Sequence, residues 1–115
     1  MLRAGLLWLS EQSRVFRFIR SNGLARRFAA RFVAGETVDS GVAALKDLNA
    51  AGLTASLDLL GESVHNAAEA QAARDTYLET LDRIRAAGAD ANVSVKLSQM
   101  GLDIDEALCV ENVRA

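Results

Sequence analysis

Two short segments of this chain alternate apolar and polar residues, and one long helical segment separates them. Residues 53–59 place Leu53, Ala55, Leu57 and Leu59 on one side and Thr54, Ser56 and Asp58 on the other. Residues 93–97 place Val93, Val95 and Leu97 opposite Ser94 and Lys96. A side-chain period of two predicts a strand in each case. Between them, Asn66 with Glu69 three residues on has the pattern of a capping box. Ala70, Ala73, Tyr77, Leu81 and Ile84 then recur at helical spacing until Gly88. After the second strand, Asp103 with Glu106 predicts another cap, and Leu108 and Val113 begin a further helix. Strand, helix, strand, helix is a β/α repeat, so the strands should be parallel and joined by a right-handed crossover.

Two parallel strands cannot cover both faces of a sheet. A doubly wound sheet buries both faces and needs nearly continuous apolar strands. Here one face is small and polar and the other aliphatic, which favours a barrel. The predicted fold class is α/β: an incomplete (β/α)8 TIM barrel of about two strands with their helices, preceded by an N-terminal helical arm. The predicted division is an arm with its lead-in helix over residues 1–52 and the two β/α units over 53–115. Within the first part, Leu6, Leu9, Val15, Phe16 and Ile19 predict an amphipathic helix over 6–19. Ser21-Asn22-Gly23 breaks it, and a second helical piece follows over 24–33, with Gly35 as its stop. Thr37 then caps a third helix, whose stripe is Val38, Val42, Leu45 and Leu48. Gly52 is its expected left-handed C-terminal residue. No stop signal precedes Ala115, so the chain is expected to be cut off inside its last helix.

Charge is unevenly spread. Residues 1–33 hold seven arginines against Glu11, a net +6. Residues 34–115 hold six basic and fourteen acidic residues, a net −8, and together these give the chain's −2. The basic arm could meet nucleic acid, anionic lipid or the acidic remainder of its own protein. The last is the simplest reading, and nucleic acid is not an expected partner. Cys109 is the single cysteine, so no internal disulfide can form. The longest apolar run near the start, residues 6–9, is far short of the ~20 residues that span a bilayer.

Three ionisable residues fall where a barrel would gather them. Asp58 lies near the end of the first strand, Glu62 in the loop after it, and Lys96 near the end of the second strand. In an α/β barrel these positions form the catalytic mouth. Adjacent strands lie ~4.8 Å apart, so Asp58 and Lys96 can meet as an ion pair. That pair is either a register-fixing device or a functional one. Glu62 is equally compatible with an ordinary carboxylate near a helix N-terminus. His65 has no partner at metal-ligand spacing and reads as a solvated loop residue. Cys109, Tyr77 and Trp8 read as packing residues. Neither Gly-x-Gly-x-x-Gly nor a Gly-Lys-Ser phosphate loop occurs.

Three segments resemble the bacterial proline dehydrogenase family, in the same order. Arg31-Phe32-Val33-Ala34-Gly35-Glu36-Thr37 resembles the lead into the barrel. Leu57-Asp58-Leu59-Leu60-Gly61-Glu62 resembles the first barrel strand. Val93-Ser94-Val95-Lys96-Leu97-Ser98-Gln99-Met100-Gly101-Leu102 resembles the second strand and its exit. The resemblance implies a (β/α)8 flavoenzyme that binds FAD, oxidises L-proline to Δ1-pyrroline-5-carboxylate and passes electrons to a membrane quinone. It implies that Lys96 holds the proline carboxylate, that Glu62 gates the pocket by pairing with an arginine, and that Asp58 supports the pocket. It implies a cytoplasmic protein with possible peripheral contact to the inner face of the membrane. The family's paired arginines, its substrate-packing tyrosine and most of its flavin contacts have no counterpart here. No cofactor-binding residue or metal ligand is expected in this segment, and the 115-residue chain by itself is expected to be inactive. Two other readings remain: a Schiff-base, aldolase-like barrel using Lys96, and a helical module that binds anionic membrane through its basic arm.

Overall fold

A computed structural model of the chain describes residue 17 and residues 21–31, 33–61 and 63–115. It falls into two units, residues 1–34 and 35–115. Apart from Arg17, which is helical, the helix expected over 6–19 lies outside the described residues. In this first unit, α1 spans Gly23–Ala29, and the Asn22 side chain accepts from the Leu24 amide at 3.0 Å. The helix is shorter than the expected 24–33. It buries none of its residues, so little burial offsets the cost of extending it.

The second unit runs α2 (Val38–Ala50), β1 (Ala55–Asp58), α3 (Ala67–Ala87), β2 (Ala91–Ser94) and α4 (Glu106–Arg114). It is a mixed α/β unit whose two strands pair in parallel, Ala55 beside Ala91 and Asp58 beside Ser94. Thr37 caps α2 as its sequence predicts, exchanging backbone and side-chain bonds with Ser40. Gly52 follows with φ +79°, the left-handed conformation that favours glycine. Asn66 caps α3 by accepting from the Glu69 amide at 2.9 Å. Glu69 answers one residue further upstream, on the His65 amide at 2.8 Å. Asp105, rather than Asp103, caps α4, taking the Leu108 amide at 2.8 Å.

The strand period sorts the side chains as the sequence predicts. Ala55, Leu57, Ala91 and Val93 turn toward a core of Val42, Leu45 and Ile84, from α2 and α3. A second cluster, Tyr77, Met100 and Cys109, gathers Leu59, Ala73 and Val93 above it. Ser56, Asp58, Asn92 and Ser94 lie on the opposite, exposed face. Both strands are shorter than their alternating patterns. β2 stops at Ser94 because the chain turns at once: the Gln99 and Met100 amides both bond back to the Lys96 carbonyl, at 3.0 and 3.3 Å. Val95 and Leu97 therefore leave the apolar face shared with Val93 and are 43% and 50% exposed. On α3 the buried stripe passes through Thr80, whose hydroxyl is satisfied by the Thr76 carbonyl at 2.7 Å, while Leu81 faces outward.

Asn49, at the end of α2, joins the two loops that enter the strands. Its side-chain amide donates to the Leu53 and Asp90 carbonyls and accepts from the Asp90 amide, at 2.9, 3.0 and 2.8 Å. Leu45 is 1% exposed, so its loss leaves a cavity at the helix–sheet junction. Leu45→Ala should cost about 2–5 kcal/mol in urea unfolding. Leu48→Ala, on the exposed shoulder of the same helix, should cost less than about 1 kcal/mol. Equal losses would place the core elsewhere.

Candidate functional site

Both strands end at the same level, and the polar face delivers its last side chains there. Asp58 closes β1, and Lys96 stands two residues past the end of β2. The strand lysine expected from the alternation is thus a lysine of the strand exit. The two still meet: Lys96 Nζ lies 2.8 Å from Asp58 Oδ2, with side chains 35% and 37% exposed. The pair is half-buried, open to solvent on the polar face. Glu62, the third expected site residue, lies outside the described residues.

Beneath the pair sits a group of buried polar atoms. Tyr77 rises from the middle of α3 and sets its hydroxyl between the two strand ends. The hydroxyl accepts from the Leu59 amide at 3.3 Å. Three acceptors surround its single proton: Gln99 Oε1 at 2.8 Å, the Ser94 carbonyl at 2.9 Å and Asp58 Oδ1 at 3.4 Å. Gln99 is 0% exposed, and its amide nitrogen donates to the Leu59 and Gly61 carbonyls at 2.7 and 3.2 Å. Those two bonds fix which end of the amide faces Tyr77. Every buried side-chain nitrogen and oxygen among the described residues has a partner.

Sequence reasoning placed Asp58 and Lys96 together and missed the two residues under them. Tyr77 lay on an apolar helix stripe and read as packing. Its signal was there, since a buried tyrosine hydroxyl needs a partner. Gln99 gave none, because a glutamine in a turn is ordinary until its backbone partners are known. Cys109 is buried, as a packed thiol should be, and His65 is exposed. Among the described residues, no three of the metal-ligating types come together. No described helix is long and apolar enough to cross a membrane.

No protein-family model matches the chain. Among curated proteins it is 36% identical to proline dehydrogenase 1 of Bacillus subtilis subsp. natto, over 115 residues that make up all of this chain and 38% of the relative. It is 33% identical to proline dehydrogenase of Deinococcus radiodurans, over 92% of this chain and 34% of the relative. It is 32% identical to proline dehydrogenase 2 of B. subtilis subsp. natto over 97 residues. The chain is a homologue of the bacterial proline dehydrogenases. It spans well under half the length of the proline dehydrogenases it matches, 38% of the first. The name those relatives carry is that of an oxidoreductase.

The segment does not fit a flavin dinucleotide by itself. Lys96, the cation at the strand ends, is bonded to Asp58. Residues 34–115 carry fourteen acids against six bases, which disfavours a pyrophosphate.

Burial pushes the Tyr77 phenol above its usual value of 10.0, and the neighbouring Asp58 carboxylate pushes it the same way. The Leu59 amide and the Lys96 charge pull it back only in part. The folded state thus holds this proton more tightly than the unfolded state does. The corresponding stability is fully present below pH 10.0 and is lost as pH rises through the higher native value. Tyr77 is the only tyrosine in the chain, so tyrosinate absorbance reports it directly. The urea midpoint should fall more steeply above pH 10.0 in the parent chain than in Tyr77→Phe. Parallel curves would show that the phenol titrates as it does in water.

Proposed function

We propose that this chain supplies the first two β/α units of a (β/α)8 barrel in a proline dehydrogenase, an enzyme oxidising L-proline to Δ1-pyrroline-5-carboxylate. The observation that carries the reading is the Lys96–Asp58 pair, half-open at the C-terminal ends of two parallel strands. Active sites of α/β barrels are built at that end. In this reading Lys96 anchors the substrate carboxylate, a fixed cation meeting a fixed anion where water is partly excluded. Asp58 holds the ammonium in place before substrate arrives. Glu62 acts as the gate. FAD as hydride acceptor, a quinone as the electron sink, and a cytoplasmic site of action with peripheral membrane contact complete the proposal. A barrel takes ~250 residues, so the flavin site would be built largely by the rest of the enzyme.

The Schiff-base alternative is weaker. That chemistry wants a desolvated amine, whereas Lys96 is 35% exposed and bonded to a carboxylate. In the complete enzyme that carries this segment, Lys96→Met should raise KM for L-proline at least tenfold, about 1.4 kcal/mol, with bound flavin unchanged. An unaltered KM would remove Lys96 from the substrate site. The 115-residue chain by itself should show neither proline oxidation nor a stoichiometric flavin absorbance band; either one would overturn the proposed division of labour.

A further inference from the structure

Asp58 is held from both sides. Lys96 bonds its Oδ2 at 2.8 Å, and Tyr77 approaches its Oδ1 at 3.4 Å. Tyr77 has one proton to give, and Gln99 Oε1 at 2.8 Å shares it with the Ser94 carbonyl at 2.9 Å while Lys96 satisfies the carboxylate. Gln99 in turn grips the carbonyls of Leu59 and Gly61, the first residues of the loop after β1. The chain of contacts therefore runs Lys96, Asp58, Tyr77, Gln99, loop. The Asp58–Tyr77 link, at 3.4 Å, becomes a hydrogen bond only when the hydroxyl proton turns toward the carboxylate, which a rotation about its C–O bond allows. Hydrogen bonds in a row polarise one another, so an amide that loses the donor at its oxygen binds less firmly through its nitrogen.

We infer that Tyr77 and Gln99 are positioning residues that couple the ionic partner of Lys96 to the loop following β1. When an anion draws Lys96 away from Oδ2, the Asp58 carboxylate is left short of a partner, and the Tyr77 hydroxyl turns from Gln99 to its other oxygen, Oδ1. The hold of Gln99 on the Leu59 and Gly61 carbonyls then loosens at the moment the cation is engaged. The use of this coupling in substrate binding rests on the proposed function. The coupling itself does not, because removing the Lys96 charge should set it off without any ligand.

The test is a double-mutant cycle on the chain itself, read by exchange of the Gln99 side-chain amide protons, with the Gly61 carbonyl shift as a second probe. Lys96→Met should speed that exchange roughly fivefold, the loss of about one hydrogen bond's net stabilisation. It should also move the Gly61 carbonyl signal, while the Val93 amide in the strand is unchanged. In a Tyr77→Phe background, which keeps the ring and its packing, Lys96→Met should add nothing. An unchanged Gln99 in Lys96→Met, or additive effects of the two substitutions, would overturn the inference. So would a chain without protected amides at Leu57 and Val93, since the network would then not form. The cycle uses no proline, flavin or turnover. It can fail while Lys96→Met still raises KM, and succeed when it does not.

Discussion

Parallel pairing of β1 with β2 is the constraint on which the rest depends. In this register Ala55 lies beside Ala91 and Asp58 beside Ser94. Leu57 and Val93 consequently face the helices together, and Ser56, Asp58, Asn92 and Ser94 share the open face. A slip of one residue would turn Asp58 into the apolar cluster and Leu57 into water, because the side-chain period is two. The apolar burial that holds α2 and α3 against the sheet is thus also what aims the carboxylate. Folding and site geometry are set by the same pairing.

The two ends of the strands are secured by different means. At the entry end, Asn49 closes the loops with three bonds, all to backbone atoms. Backbone partners have no charge to gain or lose, so these three bonds do not depend on an ionic partner. At the exit end, the fixing groups are side chains: Tyr77, Gln99, Asp58 and Lys96, tied to each other as well as to backbone. Such a network is sensitive to charge, because moving one partner leaves another short of a bond in a low-dielectric setting. The asymmetry fits a unit that is rigid at the bottom and responsive at the top.

Much of this was legible in the chain. The period of two in residues 53–59, the Thr37 and Asn66 caps and the glycine at position 52 are local signals, and the structure keeps them. The meeting of Asp58 with Lys96 was also legible, because strand spacing is fixed. What the sequence did not give was where β2 stops. Val95 and Leu97 continue the alternation on paper, but bonds from Gln99 and Met100 back to Lys96 win over further pairing. The stripe of α3 was misread at one position for a similar reason. Thr80 can enter the core only because its hydroxyl bonds within the helix, which composition does not reveal. Gln99 was invisible because its partners are carbonyls some forty residues away in sequence, and no local pattern encodes such a meeting.

The half-exposure of the ion pair is itself informative. A fully buried pair would be costly to break, since either charge left behind would lack solvation. A fully exposed pair is worth only about 0–1 kcal/mol and would not hold Lys96 in one place. At roughly a third exposure on each side, the ammonium is oriented yet reachable. A second carboxylate arriving from the open face can therefore take over Lys96 without a large barrier, provided that something compensates Asp58. Tyr77 stands on the far side of that carboxylate with a hydroxyl that can turn. If Lys96 anchors an anion as proposed, this arrangement lets one carboxylate replace another at the ammonium while Asp58 keeps a partner.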